Sequence, residues 1–516
     1  MGKKREAKNA EKLGPKKKER YDWVEDSWGD DTDEEEAAHV SKNKVPDSEL
    51  RDSDTEDDEL GYDLQASVIR RLIPALENDP NTSQMQVIGR ITAPNPKGRT
   101  RATLVHGPPG TGKTSTISAA AVRLLKSGEY IWIVAQSNAG ISNVAKSLQK
   151  IDFHDFVLIV AEEYYSWWEG QYATLLPYVI RTTNLNDKNK KTKEHLQGKR
   201  LILCTLASLS NPAVEKLVMF RHVPLRNLII DEASQIDMTS EFMHLFFRHR
   251  NTLRNVCWFG DPMQLPPYGW SETAKINDIF KVEHLQANSK LMNISYRLPI
   301  PIADFIGKEV YQSQLQHHSG HKVKTPTQAM LFVDTLDGEE LKEEKGTSFM
   351  NHMEAEVVVQ IIELYYNKIN EKTGEPYEFT VITPYEAQRR LVQGMLKSKG
   401  INREVYNVDS FQGNEADFII TTLTKTTFSS FLSSINRLNV LLTRCKKGLV
   451  VVSKKEFITR TGGLLRGLWW EYESHDIWKD SRDVIKGHVD LPGSPAPNPP
   501  NEGSEEESED GDPGDE

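Results

Sequence analysis

The chain has 516 residues, 38% apolar and 27% charged, which suits roughly two to four domains of about 150 residues each. No apolar run approaches the ~20 residues of a membrane span, and three scattered cysteines (Cys204, Cys257, Cys445) exclude a disulfide framework or a four-cysteine metal cluster. The net charge of −11 belongs to the ends: residues 1–60 carry 12 Lys and Arg against 20 Asp and Glu, residues 490–516 none against 10, and residues 61–489 keep 52 against 45, a net of +7.

With no apolar signal core at the start, the cysteines read as reduced and buried in an intracellular protein with no membrane partner. Residues 1–60 are expected to be a disordered tail, basic and then acidic. Lys3-Lys4-Arg5, a ten-residue spacer and Lys16-Lys17-Lys18-Glu19-Arg20 have the form of a bipartite nuclear-import signal. They imply a nuclear location and an import receptor reading residues 3–20; a solvated basic arm on nucleic acid is the alternative. Acidic runs follow from Asp22 to Glu36 and from Asp47 to Glu59, with Ser53 and Thr55 as candidate phosphorylation sites.

The folded part is expected from Gly61. Asn81-Thr82-Ser83-Gln84 leads into a predicted helix, and the Gln84 amide offers a donor and an acceptor to a base edge. Ala102–Val105 reads as a buried strand running into Gly107-Pro108-Pro109-Gly110-Thr111-Gly112-Lys113-Thr114, followed by Ser115 and a helix marked by Ile117, Ala120, Ala121, Leu124 and Leu125. Strand, glycine-rich loop and helix in that order make a phosphate cradle. The glycines let successive N–H groups converge on phosphate oxygens at the helix N-terminus, Lys113 reaches the outer phosphates, and the Thr114 hydroxyl suits Mg²⁺. The chain is therefore expected to bind a nucleoside triphosphate.

Tyr130–Ala135 is a continuous apolar strand ending in Gln136-Ser137-Asn138-Ala139. Ser137 and Asn138 there suit contacts to a sugar-phosphate backbone, or they cap the next helix. Residues 163–200, with Tyr164, Tyr165, Trp167 and Trp168 and then Lys188, Lys190, Lys191 and Lys193, read as a small helical insertion, with stacking of these aromatics on bases as the alternative. The next strand, Leu201–Thr205, brings Thr205 to a strand end as a third nucleic-acid candidate. Leu228–Ile230 runs into Asp231 and Glu232, which supply a Mg²⁺ ligand and a general base at a strand's C-terminal edge. Val256–Phe259 runs into Gly260-Asp261-Pro262-Met263-Gln264-Leu265-Pro266-Pro267, where the Gln264 amide is placed to sense a γ-phosphate. Strands are predicted again at Met330–Asp334, Phe379–Thr383, Phe418–Leu423 and Leu449–Val452, with a helix over 352–368 and no second phosphate loop. From Leu491 the chain is low-complexity and acidic.

Taken together these stretches resemble the superfamily 1B helicases of the up-frameshift, senataxin and immunoglobulin μ-binding type. The resemblance runs over about 81–453 and adds Ser295-Tyr296-Arg297, Ile382-Thr383-Pro384-Tyr385, Val408-Asp409-Ser410-Phe411-Gln412-Gly413-Asn414-Glu415-Ala416-Asp417 and Arg437-Leu438-Asn439-Val440-Leu441-Leu442-Thr443-Arg444 to the motifs above. It implies an α/β fold of two RecA-like parallel-sheet domains with ATP between them, residues 61–290 and 291–489, and disordered tails at 1–60 and 490–516. It also implies an ATP- and Mg²⁺-dependent ATPase. Gln84 would contact adenine, the loop from Gly107 to Ser115 the phosphates, and Thr114 and Asp231 the metal. Glu232 would act as base, Gln264 as coupler, Tyr296, Gly413 and Glu415 at the base and ribose, and Arg297 and Arg444 as arginine fingers. Leu442 and Asn436 depart from the family pattern at positions expected not to touch the chemistry. The implied activity is a monomeric helicase or translocase moving 5′ to 3′ on single-stranded RNA or DNA. An ATP-gated clamp that remodels ribonucleoprotein without unwinding is the alternative.

Overall fold

The structure, a computed structural model, describes residues 69–70, 73, 79–95, 100–162, 172–185, 190–212, 214, 219–267, 278–365, 379–461 and 463–492, all within one compact unit that starts at residue 56. The basic signal at 3–20, the acidic runs, the aromatics at 164–168, Lys188 and the tail beyond 492 lie outside the described residues.

The first lobe is an eight-stranded sheet. In chain order its strands are β1 (Arg101–His106), β2 (Ile131–Ala135), β3 (Val157–Val160), β4 (Val179–Arg181), β5 (Leu201–Thr205), β6 (Asn227–Asp231), β7 (Asn255–Gly260) and β8 (Lys290–Leu291). They lie in the order β4-β3-β5-β2-β6-β7-β1-β8, every pair parallel. Strands covered on both faces must be apolar throughout, and β2, β5 and β6 are buried at every position. Helices α1 (Thr82–Thr92), α2 (Lys113–Lys126) and α3 (Asn138–Lys150) share one core with Ile88, Ile117, Leu124, Leu148 and Ile133. The opposite face packs around Trp132, Ile202, Ile230 and Trp258. The segment expected as a helical insertion behaves differently in its described part. Val179 and Ile180, β-branched and flanked by short 3₁₀ turns, add an edge strand beside β3, and Tyr178 stacks on Phe156 at 4.5 Å between ring centroids. Only Lys190–Leu196 forms the helix foreseen there.

The second lobe is a six-stranded parallel sheet of β9 (Met330–Asp334), β10 (Phe379–Thr383), β11 (Val405–Asn407), β12 (Ala416–Thr422), β13 (Cys445–Ser453) and β14 (Trp478–Asp480), ordered β11-β10-β12-β13-β9-β14. Helices α4 (His352–Tyr365), α5 (Glu386–Ser398) and α6 (Ile435–Leu442) cover it. Two parallel α/β lobes are thus the architecture, as expected. The expected boundary between 290 and 291 cuts β8, however, so the first sheet runs through Leu291. At the other end Leu491 is buried in the second core, two residues past the expected limit of 489. Among the described residues no helix is long and apolar enough to cross a membrane. Cys204, Cys257 and Cys445 are free and buried.

One buried acid in the second lobe has a measurable consequence. Glu354, fully buried on α4, accepts hydrogen bonds from the Thr422 hydroxyl at 2.5 Å and the Thr424 N–H at 2.7 Å, and these tie the end of β12 to the helix. Burial outweighs those bonds and pushes its carboxyl up from 4.5 to about 8. A folded-state value above the unfolded one means that the contribution of Glu354 to stability is fully present below pH 4.5 and is lost as pH rises toward 8. Glu354→Gln keeps the shape and removes the titration. Its melting temperature is expected to fall less than the parent's between pH 6 and 8.5 by calorimetry; parallel curves would show that Glu354 does not titrate there.

Candidate functional site

The C-terminal edge of the first sheet and the N-terminal edge of the second face a cleft of about 1870 Å³, lined by the loop after β1, the segments that follow β2 and β6 and, in the second lobe, the 409–415 segment with Arg444, Lys446 and Lys447. The β1 strand delivers the glycine-rich loop, and Gly112, at φ +81°, turns it into α2. Gly110, at φ +74°, is required on two grounds. An L side chain there is strained, and its Cβ would lie 2.5 Å from Ser295 Oγ and 2.6 Å from Arg297 Cβ. The Ser295–Arg297 stretch therefore docks directly on the loop: Ser295 Oγ donates to Pro109 O at 2.9 Å, and the Tyr296 N–H to Gly110 O at 2.8 Å. Lys113 Nζ donates to Gly107 O at 2.6 Å, and Thr111 Oγ1 to Pro108 O at 2.9 Å, which shapes the cradle from within. Pro108, Pro109, Thr114 and Ser115 line the same cleft.

The acids sit where the strand ends. Asp231 is buried at the end of β6, and its Oδ1 accepts the Glu232 N–H at 3.0 Å. Burial, and then the neighbouring Glu232, push the Asp231 carboxyl up to about 7 against the pull of Lys113. Glu232 has φ +53°, a left-handed conformation that costs a non-glycine residue about 1 kcal/mol or more and aims its carboxylate into the cleft. Gln412 of the second lobe reaches it, Nε2 donating to Glu232 Oε2 at 3.5 Å.

Beyond β7, Asp261 is a fully buried hub. Its Oδ2 accepts from Tyr311 Oη at 2.6 Å and Gln264 Nε2 at 2.7 Å, and its Oδ1 accepts from the Met263 N–H at 3.0 Å and lies 3.0 Å from His106 Nε2. Burial pushes its carboxyl up, but His106, Lys113 and Tyr311 together hold it below the usual range. The Gln264 amide is thereby fixed with its oxygen outward, and Arg444 Nη2 donates to that oxygen at 2.9 Å. Arg444 is 2% exposed, and burial, with Arg297 nearby, pulls its guanidinium down to about 10. Arg297 pairs with Glu415 and donates to Thr443 O at 3.3 Å. Burial opposes ionisation of Glu415, yet Arg297 and Lys446 hold its carboxyl at about 2. Gly413 meets the first lobe through its carbonyl, which accepts from Asn143 Nδ2 at 3.0 Å.

The predicted residues Lys113, Thr114, Glu232, Gln264, Tyr296, Arg297, Gly413, Glu415 and Arg444 are therefore brought to one cleft, with Asp231 buried beside Glu232 at its wall. Gln84 also lines it, but both ends of its amide are engaged: Oε1 accepts from the Asn81 N–H and Nε2 donates to Thr111 O, each at 2.9 Å. Ser137 caps α3, accepting from the Gly140 N–H at 3.0 Å, and with Asn138 still lines the cleft. Thr205 does not reach it. Thr205 is buried, caps the next short helix and spends its hydroxyl on Ser208. Asn436, expected not to touch the chemistry, is not among the lining residues of the cleft but bonds to the backbone beside Gln264. Its Nδ2 donates to Pro262 O at 2.9 Å and Gln264 O at 2.5 Å, so it clamps the Gln264 loop to the second lobe, as does Asn439 through Met263 O at 2.7 Å.

Two family models, each described as an AAA domain, match residues 79–162 and 277–456. Over 478 residues the chain is 28% identical to "Regulator of nonsense transcripts 1" of Caenorhabditis elegans, covering 83% of this chain and 42% of that one. The Neurospora crassa homolog of the same name is 25% identical over 485 residues, with the same coverage. "DNA polymerase alpha-associated DNA helicase A" of Saccharomyces cerevisiae is 24% identical over 509 residues, covering 81% of this chain and 74% of that one. The chain thus spans 42% of the length of the two regulators it matches. A solved arterivirus nonstructural protein 10 (helicase) with DNA is similar at 15% identity and a TM-score of 0.39, covering 71% of this chain and 63% of that one.

Proposed function

We propose that this chain, a relative of the superfamily 1B helicases of the up-frameshift type, is an ATP-driven motor that moves on single-stranded RNA or DNA. The observation that carries this reading is the bond across the cleft from Arg444 to Gln264. It joins a cation of one lobe to the residue at the γ-phosphate end of the other, so phosphate chemistry and lobe separation share one contact. On this reading the loop from Gly107 and the N-terminus of α2 bind the phosphates through backbone N–H groups, and Lys113 neutralises the outer ones. Glu232 orients and deprotonates the attacking water, with Gln412 holding the carboxylate. Arg444 and Arg297 stabilise charge on the transferring phosphoryl group. Asp231 and Thr114 are hard oxygen donors, and an acid pushed up to about 7 by burial and a second carboxylate suits a divalent cation. Mg²⁺ held there would shield phosphate charge.

Loss of the γ-phosphate weakens the reason for the lobes to stay closed, and the Asp261–Gln264 loop, clamped by Asn436 and Asn439, transmits the change. Ser137 and Asn138, after the end of β2, are the nucleic-acid contacts in this reading. Residues 3–20, with an import receptor, would place the motor in the nucleus. The chain is expected to hydrolyse ATP faster when a single-stranded oligonucleotide is added, with an activating concentration that rises steeply with salt as counterions are released. Deleting 1–60 and 493–516, which spares the buried Leu491, removes a net charge of −17 and is expected to tighten that binding. Turnover indifferent to RNA and DNA oligomers alike would refute the motor.

A further inference from the structure

The base end of the cleft carries a ring that none of the motifs includes. His318 lines the cleft beside Tyr296, its ring centroid 4.7 Å from the tyrosine's and its plane tilted by 33°. Two backbone contacts hold the pair in register. The short strands Ile294–Ser295 and Gln316–His317 pair in parallel, and the His318 N–H donates to Ser295 O at 2.9 Å. Tyr296 is fixed at two further points, its N–H on Gly110 O at 2.8 Å and its hydroxyl accepting from Asn81 Nδ2 at 3.0 Å. Gln84, the other group at this end, has its oxygen on the Asn81 N–H and its nitrogen on Thr111 O.

We infer that His318 is a positioning residue for the nucleotide base: it backs the Tyr296 ring, and the two form an aromatic platform on which the base stacks. This inference rests on the nucleotide reading of the cleft. A phenol ring held at one edge can still tilt about that edge. A second ring against its face stops the tilt, so less ordering is left for the base to impose on binding. The platform is strapped to the phosphate loop through Ser295 and Tyr296, so base and phosphates are held by one rigid unit. Stacking uses the π-face that every base has, so His318 matters to any ligand carrying a base and to none that lacks one.

The test compares ATP with inorganic tripolyphosphate, which carries the phosphates without base or sugar, by calorimetric titration of the full chain with Mg²⁺. His318→Ala is expected to weaken ATP binding about three- to tenfold, the size of an aromatic pair, and to leave the tripolyphosphate Kd within twofold. His318→Phe, which keeps a ring, is expected to restore ATP binding to within twofold of the parent. Equal ATP affinity in parent and His318→Ala, or tripolyphosphate binding weakened in step with ATP, would overturn the platform. Turnover assayed on the same samples keeps the two readings apart. A parent chain that binds ATP and hydrolyses none would sink the motor, while the platform would still be decided by the two Kd values.

Discussion

Glu232→Gln is expected to lower ATP turnover by two to four orders of magnitude while leaving ATP affinity near the parent's. General-base assistance is worth roughly 10²–10⁴ in rate, and the amide cannot accept the proton that the carboxylate accepts. The substitution is nearly isosteric. It keeps the backbone turn at φ +53°, and the Gln412 contact is a long one at 3.5 Å, so little of the cleft's shape depends on the charge. It also removes the carboxylate that helps push Asp231 up, so the metal-site acid ionises more readily in the variant. Affinity is therefore not expected to suffer. Single-turnover hydrolysis alongside equilibrium binding separates the two effects. Parent-like turnover in Glu232→Gln would mean that another group activates the water, and the assignment of the base would be wrong.

Why Glu232 was legible in the sequence, while Asn436 and His318 were not, follows from how each acts. Asp231 and Glu232 end a run of buried apolar residues, and strand, acid pair and edge can be read from five consecutive letters. The phosphate loop is equally local. Asn436 works by donating to carbonyls some 170 positions earlier in the chain, and an asparagine on a helix carries no mark of such a partner. His318 gains its place from a two-residue strand pairing, too short to leave a period-2 pattern. Length explains the fold's surprises as well. Met330–Asp334 and Phe379–Thr383 were predicted at their observed limits, whereas Val405–Asn407 and Val179–Arg181, three residues each, pair only because a longer neighbour offers them an edge. Thr205 shows the opposite error. A hydroxyl at a strand end suits nucleic acid or a helix cap equally well by sequence, and here the cap takes it.

Arg444→Ala is expected to slow hydrolysis by about 10³-fold or more, the scale of an arginine finger, while ATP affinity changes by less than about tenfold. Arg444 donates to Val440 O, Gln264 Oε1, Asn414 O and Thr443 Oγ1, all neutral acceptors. Burial disfavours its charge, and a second cation, Arg297, disfavours it further; Glu232 and Glu415 compensate only at longer range. Charge building up on a phosphoryl group in the cleft relieves that cost more in the transition state than in the bound ground state, which places the effect in kcat rather than in binding. The same guanidinium holds Gln264, so its loss also unfastens the loop that Asn436 clamps. Coupling between the lobes is then expected to fail together with chemistry: turnover by Arg444→Ala should no longer respond to single-stranded nucleic acid. Gln264→Ala separates the roles, because it removes the shared bond and leaves the cation in place. In a double-mutant cycle the two losses of nucleic-acid stimulation are expected to be far from additive, while the loss of basal rate follows Arg444. Strict additivity in both readouts would show that Arg444 and Gln264 act independently, and with it the contact across the cleft would cease to explain how hydrolysis moves the lobes.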